Sequence, residues 1–384
     1  MIVAGEPSGD AHAASLVNAL KRVDGDAEWD LTGATGPLLR AAGVKSVVRS
    51  DDLAVMGIME VSRVFGKFWR AFKQLKQFAI DNRPDAVILV DWPEFNLRLA
   101  RALHKNNIKV IYYISPQLWA WRSYRKRSVK RDVDLVLSIL PFEKEWYSAR
   151  GIDQVEFVGH PLAGEVVATY DRAAFCRLVD LDANKPIISL LPGSRLKELH
   201  RILPPMLDAA VVVSDRRPDV QFVLVVAPSR SPHEAESMLA QHPAAIQLQS
   251  TLRLVHHHTR EALAASDVAA IASGTATLEA ALLNTPMVIV YKESAINWHL
   301  LGRLINIEDY GLVNLIAGKR IAPELMQSEL TGERLADSLL TLLETGAGAE
   351  MKKQLVEVAH NLGEGNASQR AAERIVKALD SWTS

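Results

Sequence analysis

The chain has 384 residues, 48% of them hydrophobic and 23% charged, with a formal net charge of -1. That length exceeds one ordinary core, so two domains are expected, and the near-zero charge supplies no global field for nucleic acid. One cysteine, Cys176, excludes an internal disulfide and fits a reducing compartment, and no apolar stretch is long enough to span a bilayer.

Met1–Ala4 reads as a short apolar strand, without a signal-peptide pattern. It runs into Gly5-Glu6-Pro7-Ser8-Gly9-Asp10 and a helix from about Ala11 to Lys21. Gly5 and Gly9 would let a ligand approach the backbone, with Ser8 and Asp10 as polar groups at the turn. The stretch is not GxGxxG and lacks a Walker lysine, and a plain turn capped by Asp10 is the alternative.

Leu53–Val61, LAVMGIMEV, is unusually apolar for a connector. Val61–Phe78 follows as a helix with Val64, Phe65, Phe68, Trp69 and Phe72 among its apolar residues, and Arg63, Lys67, Arg70, Lys73 and Lys76 largely elsewhere. Aromatic bulk beside cations, with no acid in the helix, predicts a surface that lies on anionic lipid; an ordinary core helix is the alternative.

Pro84–Val90 is a predicted strand ending at Asp91-Trp92-Pro93-Glu94-Phe95-Asn96. Ligands in open α/β sheets sit at the carboxyl ends of strands, so Asp91 or Glu94 is placed to take a proton from a hydroxyl. Lys109–Ile114 leads into SPQLWAWR and the cations Arg125, Lys126, Arg127, Lys130 and Arg131, read as a lipid-phosphate surface rather than one for nucleic acid. Val133–Leu140 and Val155–Val158 complete the strands of this half, and Gly159-His160-Pro161 follows.

Asp171–Lys185 bridges to a second half, which opens with the strand Ile187–Leu191 and the turn Pro192-Gly193-Ser194-Arg195. Gly193 and Ser194 offer backbone donors and Arg195 a cationic fork, a combination suited to a diphosphate. The helix that follows should break or kink at Pro204-Pro205. After the strand Gln221–Val226, His256-His257-His258 reads as surface histidines, and with no acids at ligand spacing no metal is expected.

Val268–Ala272 is a buried strand, and Ser273-Gly274-Thr275 turns it into a helix carrying Glu279 one turn in; Met287–Tyr291 is the next strand. Free N–H groups at that turn suit phosphate, and Glu279 can accept hydrogen bonds from both hydroxyls of a ribose. The chain is partly apolar again at Ile296, Trp298, Leu300, Leu301 and Leu304. Pro323–Leu325 reads as a short helix, and helices over about Ala349–Leu362 and Ser368–Trp382 close the chain, the last with Asn366 and Gln369 as a capping box.

The motifs AGEPSGD, LAVMGIMEV, DWPEFN, ISPQLWAWR, PFEKEWY, FVGHP, LLPGSR, ASGTATLEAAL and LVNLIAG occur in this order between Gly5 and about Gln327. The ordered set closely resembles the lipid-A-disaccharide synthase family. The resemblance implies an α/β GT-B fold: two Rossmann-like doubly wound domains, over 1–170 and 171–345, an interdomain cleft, and C-terminal helices over 346–384 that pack back or dimerise. It implies an inverting, metal-independent transfer from UDP-2,3-diacylglucosamine to 2,3-diacylglucosamine 1-phosphate, giving a β-1,6-linked disaccharide 1-phosphate and UDP, in lipopolysaccharide biosynthesis. No cofactor is expected.

On the matching positions, Gly193, Ser194, Arg195, Ser273, Gly274, Thr275, Thr277, Glu279 and Asn314 are expected to hold the donor. Glu6, Ser8, Gly9, Asp10, Trp119, Arg122 and His160 are expected on the acceptor side. The family often has Asp where Glu94 stands, which keeps Asp91 open as the base. The expected location is cytoplasmic, peripheral on the inner membrane, with acylated sugars and an anionic lipid surface as partners and, in some members, a homodimer. Another GT-B enzyme on a UDP-amino sugar, such as a 2-epimerase or muramyl-lipid glycosyltransferase, and a non-catalytic nucleotide- or lipid-binding protein are the alternatives.

Overall fold

The apolar runs become parallel strands in two separate sheets. A computed structural model describes residues 1–25, 28–51, 61–294 and 309–383, with residues 61–65 and 383 described by backbone alone. The expected apolar connector 53–60 and the apolar positions 296–304 lie outside the described residues, as do the side chains of Val64 and Phe65.

The chain divides into two compact units, Met1–Pro161 with Leu362–Ser384, and Leu162–Asn361. This corrects the expected boundaries. The first division precedes residue 171, and the closing segment is not one body: helix Gly346–Asn361 belongs to the second unit and helix Ala367–Thr383 to the first.

In the first unit the strands are β1 (Ile2–Ala4), β2 (Thr32–Thr35), β3 (Lys45–Arg49), β4 (Val87–Val90), β5 (Val110–Tyr113), β6 (Leu135–Ser138) and β7 (Val155–Phe157). They lie in the order β3-β2-β1-β4-β5-β6-β7, all parallel. The runs VILV and VIYY are buried at every residue, the pattern of a parallel sheet covered on both faces. One covering layer is helix Pro7–Val23, whose Leu16, Val17 and Leu20 share a core with Ala371, Ala372 and Ile375 of helix Ala367–Thr383. That last helix has no capping box: Asn366 is left-handed (φ 56°), and Gln369 donates from its side chain to Glu373.

The second unit has β8 (Ile187–Leu191), β9 (Gln221–Val226), β10 (Leu252–His256), β11 (Val268–Ala272), β12 (Met287–Tyr291) and β13 (Glu324–Met326), in the order β10-β9-β8-β11-β12-β13. Glu324–Met326 is thus an edge strand, where a short helix was expected over 323–325. Helix Leu196–Arg216 runs through Pro204 and Pro205 without a break. Each proline removes one N–H, yet the helix buries nine residues, including Ile202, Leu203 and Met206, and that packing outweighs the lost bonds.

Both sheets reverse direction of winding at one point. In the first unit β1 lies beside β4, and in the second β8 lies beside β11. In doubly wound sheets the ligand crevice opens at this reversal, outside the carboxyl ends of the strands. The four turns that follow these strands are AGEPSGD, DWPEFN, PGSR and SGT.

Candidate functional site

In the second unit, the turns after β8 and β11 line one cavity of about 310 Å³ together with the end of β9. Gly193, Ser194, Arg195 and Glu198 form one wall, Ser273, Gly274, Thr275 and Glu279 another, and Val225, Ala227 and Pro228 supply apolar surface. The backbone at Gly274 is open, with no atom within 4 Å of where a Cβ would sit. Glu279 faces the cavity, and its Oε1 lies 3.4 Å from Nε of Arg260, whose Nη1 also donates to the Glu165 carbonyl.

The arginine turn is not bare. Glu198 Oε2 accepts from the N–H groups of Ser194 and Arg195, each at 3.2 Å, and Oε1 accepts from Arg195 Nη1 at 2.8 Å. The donors expected to be open to a diphosphate therefore hold an internal carboxylate. Gly193 makes room for it: its φ is +108°, and a Cβ there would sit 2.6 Å from Glu198 Oε2.

Two expected donor-side residues are structural. Thr277 is fully buried, and its hydroxyl donates back to the Gly274 carbonyl at 2.7 Å. Asn314 is also fully buried. Its amide nitrogen donates to the Ala322 carbonyl and to Glu324, and its oxygen accepts from Ile321 and Ala322 N–H, so it ties helix Leu312–Ala317 to β13. The Asn314 amide is thus fully engaged inside the protein, and the Thr277 hydroxyl has spent its one donor there.

In the first unit, the reversal between β1 and β4 brings Glu6 and Asp91 together. Asp91 and Trp92 are both left-handed, with φ of 49° each. Two non-glycine residues in that region are strained. The strain is held by Asn96, whose amide donates to the Val90 and Asp91 carbonyls, and by the Tyr112 hydroxyl, which donates to the Asp91 carbonyl at 2.7 Å. Burial, and then the charge of Glu6, raise the Asp91 carboxyl above the ordinary carboxylate range. A raised carboxylate at a sheet reversal is suited to accept a proton.

Glu94 is differently placed. It is bonded to Arg122 Nη1 at 2.6 Å and Arg125 Nη2 at 2.7 Å, and the bond from Arg125 foremost lowers its pKa. A carboxylate stabilised by two guanidinium groups is a weak base. Of the two candidates, the geometry favours Asp91.

Two expected acceptor-side residues, Asp10 and Trp119, serve the fold instead, and so does Gly5, which was expected to let a ligand approach the backbone. Asp10 is buried and accepts from the N–H groups of Gly36, Leu38 and Leu39, capping the neighbouring helix Pro37–Ala41. Trp119 is buried, and its Nε1 donates to Glu143 at 3.1 Å. Gly5 is needed by Trp92, whose ring occupies the place of a Cβ at 2.1 Å, and so it does not serve a ligand's approach. Glu6 and Ser8 are exposed at the start of helix Pro7–Val23, and Gly9 is buried within it. His160 is buried beside His12, and desolvation first, then the His12 charge, lowers its pKa to about 4, so it is neutral near pH 7.

The expected lipid-facing stripe turns inward where the side chains are described. Phe68 packs on Trp92 and Phe95 with ring centroids at 5.6 and 6.4 Å, and Phe72 on Phe95 at 6.0 Å. The helix, observed over Val61–Asn82, buries Ala71, Leu75 and Ala79 on the same side. Trp69 is the exception, 49% exposed, stacked on Phe72 and beneath the Lys73 ammonium. Phe68 and Phe72, four positions apart, share the buried face, and Trp69, the next residue after Phe68, lies about 100° further round the helix and points outward.

Among the described residues, no group of three or more His, Cys, Asp or Glu side chains is arranged to hold a metal ion. No described helix is long and apolar enough to cross a membrane.

Two sheets of this winding order, each with polar turns at its reversal, define the GT-B class of nucleotide-sugar glycosyltransferases and epimerases. Solved structures share the fold. The UDP-GlcNAc 2-epimerase from Neisseria meningitidis bound to UDP-GlcNAc is 13% identical, with a TM-score of 0.64 over 98% of this chain and 99% of that one. The glycotransferase of kitacinnamycin is 14% identical, with a TM-score of 0.65 over 98% and 97%. Sequence comparison separates the branches. The model of the lipid-A-disaccharide synthetase family matches residues 1–379. The lipid-A-disaccharide synthase of Solibacter usitatus is 42% identical over 383 residues, and that of Geobacter metallireducens 38% over 380, each match covering 99% of this chain and 97% of the relative. The chain belongs to the lipid-A-disaccharide synthetase family, and it is a glycosyltransferase of lipid A disaccharide synthesis.

Proposed function

We propose that the chain condenses UDP-2,3-diacylglucosamine with 2,3-diacylglucosamine 1-phosphate to the β-1,6-linked disaccharide 1-phosphate and UDP. The observation that carries this reading is the second-unit cavity, where an arginine turn, an open glycine turn and a carboxylate meet at a sheet reversal. Its parts match a uridine diphosphate: the apolar surface of Val225, Ala227 and Pro228 for the base, Glu279 for the ribose hydroxyls, and Arg195 with the main chain at Ser194 and Gly274 for the diphosphate.

Asp91 takes the proton of the acceptor's 6-hydroxyl as that oxygen attacks the anomeric carbon. The bond from that carbon to the diphosphate oxygen breaks, the configuration inverts, and UDP leaves with the bonding electrons. Positive charge grows on the sugar ring and negative charge on the diphosphate, which Arg195 and main-chain N–H groups stabilise without a metal. Arg122 and Arg125, which share the single carboxylate of Glu94 and so keep a net positive charge, suit the acceptor phosphate. The enzyme works at the cytoplasmic face of the inner membrane, where its acylated substrates lie, and homodimerises as some family members do.

The test mixes purified protein, donor and acceptor in detergent with EDTA. Equal amounts of disaccharide phosphate and UDP are expected, and Arg195→Ala should lower the rate on the order of 100-fold, as loss of one oxyanion donor does. Conversion of the donor without acceptor would instead identify an epimerase. UDP binding with no turnover would identify a non-catalytic protein.

A further inference from the structure

The Glu198 carboxylate sits where the diphosphate of the proposed donor would sit. It takes both N–H groups at the start of helix Leu196–Arg216 and a nitrogen of the Arg195 guanidinium. A capping-box glutamate ordinarily reaches back to one N–H. This one takes two, adds the arginine, and lines the cavity that both turns share. Gly193, at the turn before the helix, is a glycine whose missing Cβ is the space the carboxylate fills. The donors thus already hold an anion, of the planar, two-oxygen kind that a guanidinium binds best.

From this we propose that Glu198 is an affinity-setting residue. It occupies the diphosphate seat in the free enzyme, is displaced by the donor's diphosphate, and reclaims the seat when the product UDP leaves. The proposal rests on the reading of the cavity as the UDP site. Displacement exchanges one anion for another on the same donors, and the released carboxylate turns to solvent. Every ligand that needs the seat binds only to the fraction of molecules in which the carboxylate has turned away, and its apparent affinity is reduced by that fraction. The gain is turnover: a diphosphate held by an arginine and a helix start, with no competitor, would leave slowly.

Calorimetric titration of the full chain with UDP and, separately, uridine tests this, using wild type, Glu198→Gln and Glu198→Ala. The glutamine variant keeps the shape of the side chain and so keeps the test open if the alanine variant fails to fold. Both variants should bind UDP on the order of tenfold tighter, with uridine affinity unchanged, because uridine does not use the seat. Inhibition of turnover by added UDP should strengthen by the same factor. Wild-type binding of UDP with equal or weaker binding by both variants overturns the proposal while leaving the UDP site intact. Equal tightening of uridine and UDP also overturns it, since that reports a loosened cavity. Failure of wild type to bind UDP removes the site and the proposal together.

Discussion

At the residue scale, the two carboxylates of DWPEFN have opposite electrostatics. Asp91 is buried beside Glu6 and raised, whereas Glu94 is held between two arginines and lowered. Asp91→Asn should lower kcat on the order of 100-fold or more, the usual cost of losing a general base, and Glu94→Gln should stay within about tenfold of wild type. Equal losses would return the assignment to Glu94. Because Glu6 raises Asp91, Glu6→Gln should move the acidic limb of the kcat/KM profile to lower pH; an unmoved limb would separate the two groups. Glu143 offers a stability test. Burial raises its carboxyl to about 7 from an ordinary 4.5, against the opposing effect of its bonds from Trp119 and Leu140. Between these values the folded state keeps a proton that the unfolded chain releases. Its stabilising contribution is therefore full below about 4.5 and lost as pH rises through about 7. Wild type should lose on the order of 3 kcal/mol over that window relative to Glu143→Gln, read by thermal melts at each pH.

At the element scale, helix Val61–Asn82 separates two roles that its sequence blends. Phe72 faces Phe95 in the core, while Trp69 and Lys73 face outward. Phe72→Ser should cost about 2 kcal/mol of stability, roughly half the usual cost of truncating a fully buried phenylalanine. Trp69→Ser should leave the melting temperature nearly unchanged and reduce sedimentation with anionic vesicles. If Phe72→Ser weakens vesicle binding without destabilising the fold, the stripe faces lipid after all. The same separation explains helix Leu196–Arg216. Its prolines predict a break by local rules, and its buried face overrides them.

At the scale of the whole molecule, the last helix is part of the first unit's core. Ala371, Ala372 and Ile375 are fully buried, Arg370 Nε donates to the Val158 carbonyl at 2.7 Å, and Arg374 pairs with Glu156 at 2.8 Å. The chain thus returns to its first unit after completing the second. Ile375→Ala should destabilise by about 3 kcal/mol without changing oligomeric state by light scattering. A change in oligomeric state with an unaltered melting temperature would assign that face to a dimer.

Much of this was legible in the residues alone. Ile187–Leu191, Gln221–Val226, Val268–Ala272 and Met287–Tyr291 match their predicted bounds, because strands buried on both faces write themselves as unbroken apolar runs. The turns that carry chemistry were legible too, since glycine, serine and charge cluster where strands end. The strands Thr32–Thr35, Lys45–Arg49, Leu252–His256 and Glu324–Met326 were not. They are short or lie toward the sheet margins, where partial exposure erases the apolar run. What a side chain at a turn does depends on which groups the fold brings to it from far along the chain. Asp10 and Asn314 look like ligands in sequence and are consumed by backbone groups, Asp10 by residues 26 to 29 positions away. Glu94 meets its arginines from 28 and 31 positions on. Sequence marks where polar groups gather. Only the tertiary structure settles which of them are already spoken for, because a group bonded inside the protein opens to a substrate only if its internal partner is displaced.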